Sequence, residues 1–244
     1  MLKKLFYGVY GLGGYIVGAG AIAYLIGFIA DFGAPKTIAT GGSDGGIIIS
    51  ALVDTLLVLA FGAHHSATAR ASFKRWWTRI VPAPIERATY LYMTAAMTAA
   101  LVGFWRPIPI VIWSIEPPVA QAIIYVAYAG VWAMMLAATF HFGHFSFMGL
   151  TQVWRRIVDA PARNDAMTAR FLYALVRHPI SLGWMIAPWL TPTLTVGHAV
   201  FAAATTAYIF SATPFEEADL AADIGEDYAT YKKRVPAFFP RLRR

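Results

Sequence analysis

The sequence predicts an all-α fold: a polytopic membrane helical bundle with five to six spans, the last two forming a helical hairpin, plus a cytoplasmic C-terminal helix. Three observations predict it. Of 244 residues, 58% are hydrophobic and only 14% charged, where a soluble domain carries about 25% charged residues. Thirty-eight consecutive residues, His178 to Phe215, hold no Lys, Arg, Asp or Glu. Apolar and polar residues do not alternate at period two, which argues against a barrel.

The first span is predicted at 5–30, behind Lys3 and Lys4. This apolar run is too long for a cleavable signal. Gly14 and Gly18 lie four apart in it, a spacing that lets helices approach closely. Further spans are predicted at 46–63, 88–105 and 119–141. As helix, the uncharged stretch would be ~57 Å long, about twice a ~30 Å hydrocarbon core. Thr191-Pro192-Thr193 interrupts it, so spans at 179–192 and 194–212 fold back on each other. A helix over 214–233 follows. The chain forms one membrane domain, 1–244, with N-terminal spans over 5–141 and a second half, 142–244, that contains the hairpin 179–212.

Charge sets the orientation. The N-terminus, 64–87, 142–178 and 213–244 hold 18 of the 20 basic residues, and only Lys36 and Arg106 fall on the other side. The positive-inside rule then makes both termini cytoplasmic. The net charge of +7 is a topology signal and an attraction to anionic lipid, not a nucleic-acid footprint. The lipid bilayer is the expected partner, with no nucleic acid and no obligate protein partner. Segment 66–87 places Trp76 and Trp77 among Arg70, Lys74, Arg75 and Arg79, as in an interfacial element. The chain has no cysteine, which excludes disulfides, Cys-ligated zinc and a cysteine nucleophile.

Asp54 sits inside the second span, where a carboxylate is costly unless paired or facing a polar cavity. It is either a contact in a substrate cavity or a structural bond to a neighbouring helix. His64 and His65 close that span. His141 and His144, three apart, end the fourth on one helix face. Four histidines at one boundary suit haem or a metal, or polar groups lining a cavity. The Glu-x-x-His pairs of di-iron bundles are absent, and no resident metal is expected. Gly143 to Trp154 (GHFSFMGLTQVW) is too short to cross and forms a dipping element, with Gln152 on a ligand or on the membrane surface. Arg177-His178-Pro179 opens the hairpin, with proline where a missing N–H costs nothing. Glu216 and Glu217 return at its far end. Opposite charges gathered there suit a ligand that carries both a cation and a carboxylate.

RHPISLGW at 177–184 and FEEADLAADIGEDYATYKKRVPAFFP at 215–240 resemble the C-terminal half of the isoprenylcysteine carboxyl methyltransferase superfamily of membrane methyltransferases. Five further stretches are similar to its bacterial methanethiol S-methyltransferase branch: FGAHHSATARASFKRWW at 61–77, the ER-x-x-Y of Glu86 to Tyr90, FWRPIP at 104–109, GHFSFMGLTQVW at 143–154, and WLTPTLTVGHAVFAAATTAYI at 189–209. The resemblance is weakest over Leu5 to Ala60. It implies S-adenosyl-L-methionine as cofactor, held near the cytoplasmic face by Arg177, His178, Pro179, Gly183, Glu216 and Glu217, with Gln152 and Tyr173 as further contacts. It implies a bacterial inner-membrane location and a small thiol substrate, methanethiol, converted to dimethyl sulfide. His144 is the expected base, then His65, then Glu217. Asp54, His65, His141 and Ser146 are the expected substrate contacts. Ser181 stands where the superfamily often has an aromatic, and Ser146 where the thiol branch often has an acid, so Ser146 offers no charged base. Two rival readings follow. The same cofactor site could serve a larger lipophilic acceptor of prenylcysteine or phospholipid type. Alternatively, the chain is a non-enzymatic membrane factor of the NnrU kind that handles haem through His64, His65, His141 and His144.

Overall fold

A computed structural model describes residues 1–42, 46–141, 143–161 and 169–240. Arg163, Arg241, Arg243 and Arg244, counted above among the bases, lie outside the described residues. The described residues are 74% helical. Its elements in order are α1 (Leu2–Ile29), α2 (Ile47–Ala69), α3 (Ala71–Trp77), α4 (Ala83–Phe104), β1 (Val111–Ser114), α5 (Pro118–His141), α6 (His144–Phe147), α7 (Leu150–Ile157), α8 (Leu172–Leu175), α9 (Pro179–Ile186), a 3-10 turn (Ala187–Trp189), β2 (Thr193–Thr195), α10 (Val196–Ile224) and α11 (Glu226–Arg234).

Among the described residues, α1, α2 and α5 are long and apolar enough to cross a membrane. Val9 and Ile16 on α1, Ile48 and Leu56 on α2, and Val126 on α5 are all exposed. Large apolar side chains left bare along whole helices belong against hydrocarbon rather than water. α4 lies along α1. A Cβ on Gly14 would stand 3.0 Å from Ala88, and one on Gly18 would stand 3.3 Å from Leu91. The small-residue spacing therefore serves close helix packing.

The segment between Arg177 and Glu216 folds back with a shorter first arm than 179–192 suggests. α9 has only 8 residues. Pro188 sits in the 3-10 turn that follows, and a proline there removes a helical donor. The threonines of β2 then extend and pair antiparallel with β1, as β-branched side chains favour. This small ribbon departs from the all-α expectation. The second arm is longer than expected. α10 does not stop at 212 but runs 29 residues, through Pro214, to Ile224. Gly225, at φ 77°, ends it, and only then does α11 begin. The carboxylate pair thus rides on the same rigid rod as the apolar segment, not on a separate helix over 214–233.

The end of the bundle remote from Arg177 is tied by polar contacts in an apolar setting. Trp105 is almost wholly buried beside Phe28 and Phe201, and its Nε1 donates to the Ile38 carbonyl at 3.0 Å. Thr195 caps α10 by accepting from the His198 backbone N–H. His198 Nε2 in turn lies 3.2 Å from the carbonyl of Ile29, at the end of α1. Asp54 belongs to this end as well.

Candidate active site

Arg177 and His178 precede α9, and their backbone is held by the chain's last described segment. Arg177 N–H donates to the Pro236 carbonyl at 2.8 Å, and His178 N–H to that of Ala237 at 3.0 Å. Phe238 packs its ring 5.6 Å from the imidazole of His178. The proline-flanked end of the VPAFFP motif thus lies extended beneath the RHP turn and fixes its orientation.

Glu217 reaches this turn from α10. Its Oε1 accepts from Arg177 Nε at 2.7 Å and from His178 Nε2 at 3.1 Å, and Arg177 Nη2 lies 2.5 Å away. Its Oε2 faces Lys232 Nζ at 2.8 Å. The Glu217 and Arg177 side chains are only 6% and 10% exposed. Arg177 also donates from Nη1 to the carbonyls of Lys232 and Val235, which closes the C-terminal end of α11. Burial alone would raise the Glu217 pKa, but bonds from Lys232, Arg177 and His178 outweigh it and hold the carboxyl at about 2. A carboxylate held that low and bonded on both oxygens is a weak proton acceptor. It is the keystone of the turn.

Glu216 differs in kind. Its side chain is 58% exposed, and its nearest partner, His178 Nδ1, is 3.6 Å away, beyond hydrogen-bond reach. Because ionised Glu217 only accepts, His178 donates from Nε2 and turns Nδ1 toward Glu216. Tyr173, Tyr208 and Tyr228 all lie within the field of Glu216. Burial, then Tyr231 and Glu216, push the Tyr173 phenol up. The His141 ring stacks on Tyr173 at 4.7 Å, and Tyr231 donates its hydroxyl to the Tyr173 carbonyl at 2.6 Å. One exposed carboxylate therefore stands 3.6 Å from His178 and acts on three phenols at the base-rich end of the bundle. A cavity of about 280 Å³, lined in part by Ala174, Asp227, Tyr231 and Arg234, opens between α8 and α11.

The other predicted residues fall into three groups. His144, at the start of α6, has both ring nitrogens engaged: Nδ1 lies 2.8 Å from Thr139 Oγ1 and Nε2 lies 3.2 Å from Tyr15 hydroxyl. Thr139 already donates to the Leu136 carbonyl, so it accepts from Nδ1–H. The Nε2 lone pair therefore faces Tyr15. His65 stacks on Phe61 and meets the Tyr90 hydroxyl at 2.9 Å. Arg87 lies 4.9 Å over the Tyr90 ring and donates to the Phe147 carbonyl at 2.8 Å, which ties the ER-x-x-Y motif to the α6–α7 elbow. Ser146 and Gln152 meet there, Gln152 Nε2 donating to the Ser146 carbonyl at 3.0 Å.

Pro179 and Gly183 are closely packed. Pro179 is wholly buried, and a Cβ on Gly183 would come 2.3 Å from Met135 Cγ on α5. Asp54 is not brought to this site. It is fully buried at the other end, and its Oδ1 accepts from Arg106 N–H at 2.8 Å. The bond that Asp54 makes is to the backbone just past the end of α4.

Sequence reasoning missed Lys232, Phe238, Tyr15 and Thr139. Lys232 and Phe238 lie inside a quoted motif, where Lys232 counts only as a charge that sets topology and Phe238 carries no signal of its own. Tyr15 and Thr139 carried no pattern of their own.

Comparison with known proteins shows the family. The chain is 40% identical to methanethiol S-methyltransferase 1 of Bradyrhizobium diazoefficiens, over 95% of this chain and 81% of that relative. It is 37% identical to the methanethiol S-methyltransferase of Mycobacterium tuberculosis, over 98% of both chains. The chain belongs to the methanethiol S-methyltransferase family. A more distant likeness links this family member to Nurim of Danio rerio, at 25% identity over 73% of this chain and 67% of that protein. No protein-family model and no solved structure matches the chain.

Proposed function

We propose that this protein transfers a methyl group from S-adenosyl-L-methionine to methanethiol, giving dimethyl sulfide, at the cytoplasmic side of a bacterial inner membrane. Membership of the family supports the reaction. The observation that carries the site is the division of labour in the carboxylate pair: Glu217 is consumed by Arg177, His178 and Lys232, and Glu216 stays exposed, with only His178 at 3.6 Å among the described residues. The methionine part of the cofactor carries an ammonium and a carboxylate. Glu216 would take the ammonium. Lys232, which spends one of three N–H donors on Glu217, would take the carboxylate. This is the fit that the exposed acid and half-exposed base allow.

The bound cofactor supplies an electrophilic methyl on a cationic sulfur; the chain must supply position, dryness and a proton acceptor. Attack by thiolate joins opposite charges into neutral products. Water stabilises the separated charges better than the charge-dispersed transition state, so a dry, aligned site favours reaction. His144 is the base that best fits this task. The incoming thiol replaces Tyr15 as donor to Nε2, while Thr139 holds Nδ1–H and so fixes the tautomer. His65 on Tyr90, and His141 on Tyr173, would line the path. Methanethiol is apolar enough to enter from the bilayer.

α4 and α10 match the three apolar helices in length, and with them the bundle would cross the membrane five times. α9, its 3-10 turn and the chain on to β2 lead from the Arg177 end to the β1 end and would make a sixth crossing, so that both termini would face the cytoplasm. The direct test is gas chromatography of purified protein with methanethiol and S-adenosyl-L-methionine. Dimethyl sulfide that requires both reagents supports the reading, and none from folded protein refutes it.

A further inference from the structure

Lys36 and Arg106, the two bases that charge segregation leaves over, meet at the end of the bundle remote from Arg177. They border a groove of about 450 Å³ between α2 and α4, walled by Val53, Leu57, Phe104 and Trp105. A Cβ on Gly103 would meet nothing within 4 Å, so the groove is open over this glycine. Lys36 Nζ donates to the Gly103 carbonyl at 2.7 Å, which offsets the negative end of the α4 dipole. The backbone N–H of Arg106 is spent on Asp54. Its guanidinium feels the charge of Asp54 but donates no hydrogen bond among the described residues. Asp54 is wholly buried and does not line the groove.

We propose that this groove binds the phosphate of an anionic phospholipid, with Arg106 and Lys36 on the phosphate and Val53, Leu57 and Phe104 along the acyl chain. A guanidinium with free donors pairs with phosphate through two parallel bonds. The apolar wall directly beneath the cations matches a ligand that is charged at one end and hydrocarbon at the other. Free phosphate shares the headgroup chemistry but would leave that wall uncovered. The site is independent of the methyl-transfer reading.

Native mass spectrometry tests it, with the full-length protein released from micelles doped with phosphatidylglycerol or phosphatidylcholine, with and without excess inorganic phosphate. Arg106→Gln keeps the backbone bond to Asp54, and Gly103→Leu fills the groove without touching a charge. The two act by different routes, so a folding defect in one leaves the other informative. Phosphatidylglycerol should be retained over phosphatidylcholine, resist inorganic phosphate, and fall about tenfold in each variant. Unchanged retention in both variants, equal retention of the two lipids, or displacement by inorganic phosphate would overturn the assignment.

Discussion

Arg177 and Glu217 are 40 positions apart in the chain, and their side chains approach to 2.5 Å. The pairing joins the start of α9 to the far part of α10, and the same arginine closes the end of α11. Three elements therefore depend on one ion pair. A buried pair of this kind is costly to break from one side, because the remaining charge stays desolvated.

Glu217→Gln should accordingly destabilise the protein by about 3 kcal/mol, the cost of orphaning a buried charge. Denaturant unfolding in detergent would show it. Glu216→Gln, at an exposed position, should shift the same transition by no more than about 0.5 kcal/mol. Equal losses in the two variants would contradict the division of roles.

The pH dependence follows with a fixed sign. The Glu217 pKa falls from 4.5 to about 2 on folding. The unfolded chain therefore binds the proton first, and the stability due to this group is complete above about pH 4.5 and drains away as pH falls toward 2. Acid unfolding of the wild type should steepen in that window, and Glu217→Gln should flatten it.

His144→Ala should slow methyl transfer about a hundredfold at neutral pH, the usual worth of a positioned base. The loss should shrink in alkali, where the free thiol ionises without help. Tyr15→Phe, which leaves Nε2 unoccupied, should retain activity. Rates followed across pH with both variants decide this. An unchanged profile in His144→Ala removes it from the mechanism.

Gly62 sets the distance between α2 and α10. A Cβ there would come 2.5 Å from the Tyr208 ring, and Tyr208 hydroxyl meets Ser66 at 2.6 Å one turn on. Gly62→Val should cost about 1–3 kcal/mol through overpacking, measured by thermal unfolding, and should loosen the Arg70–Asp219 pair that continues the contact.

The apolar runs made α1, α2 and α5 legible, because length and the absence of charge decide them. The meeting of RHP with the Glu pair was legible too, since a fold-back of an uncharged segment leaves few other places for its ends. Helix ends inside that segment were not. Pro214 reads as a stop in isolation, yet α10 continues through it, and β2 forms because β1, some 80 residues earlier, supplies an edge. Pairings across the bundle, such as Tyr15 with His144 or Lys232 with Glu217, depend on which helix faces stack. No local pattern encodes that.

Calorimetric titration of S-adenosylhomocysteine tests the central claim most directly, with wild type, Glu216→Gln and Lys36→Ala compared. The exposed acid on α10 should matter and the remote lysine should not: about tenfold weaker binding in the first variant, for a lost charge-assisted contact, and wild-type binding in the second. Wild-type affinity in Glu216→Gln would contradict the account.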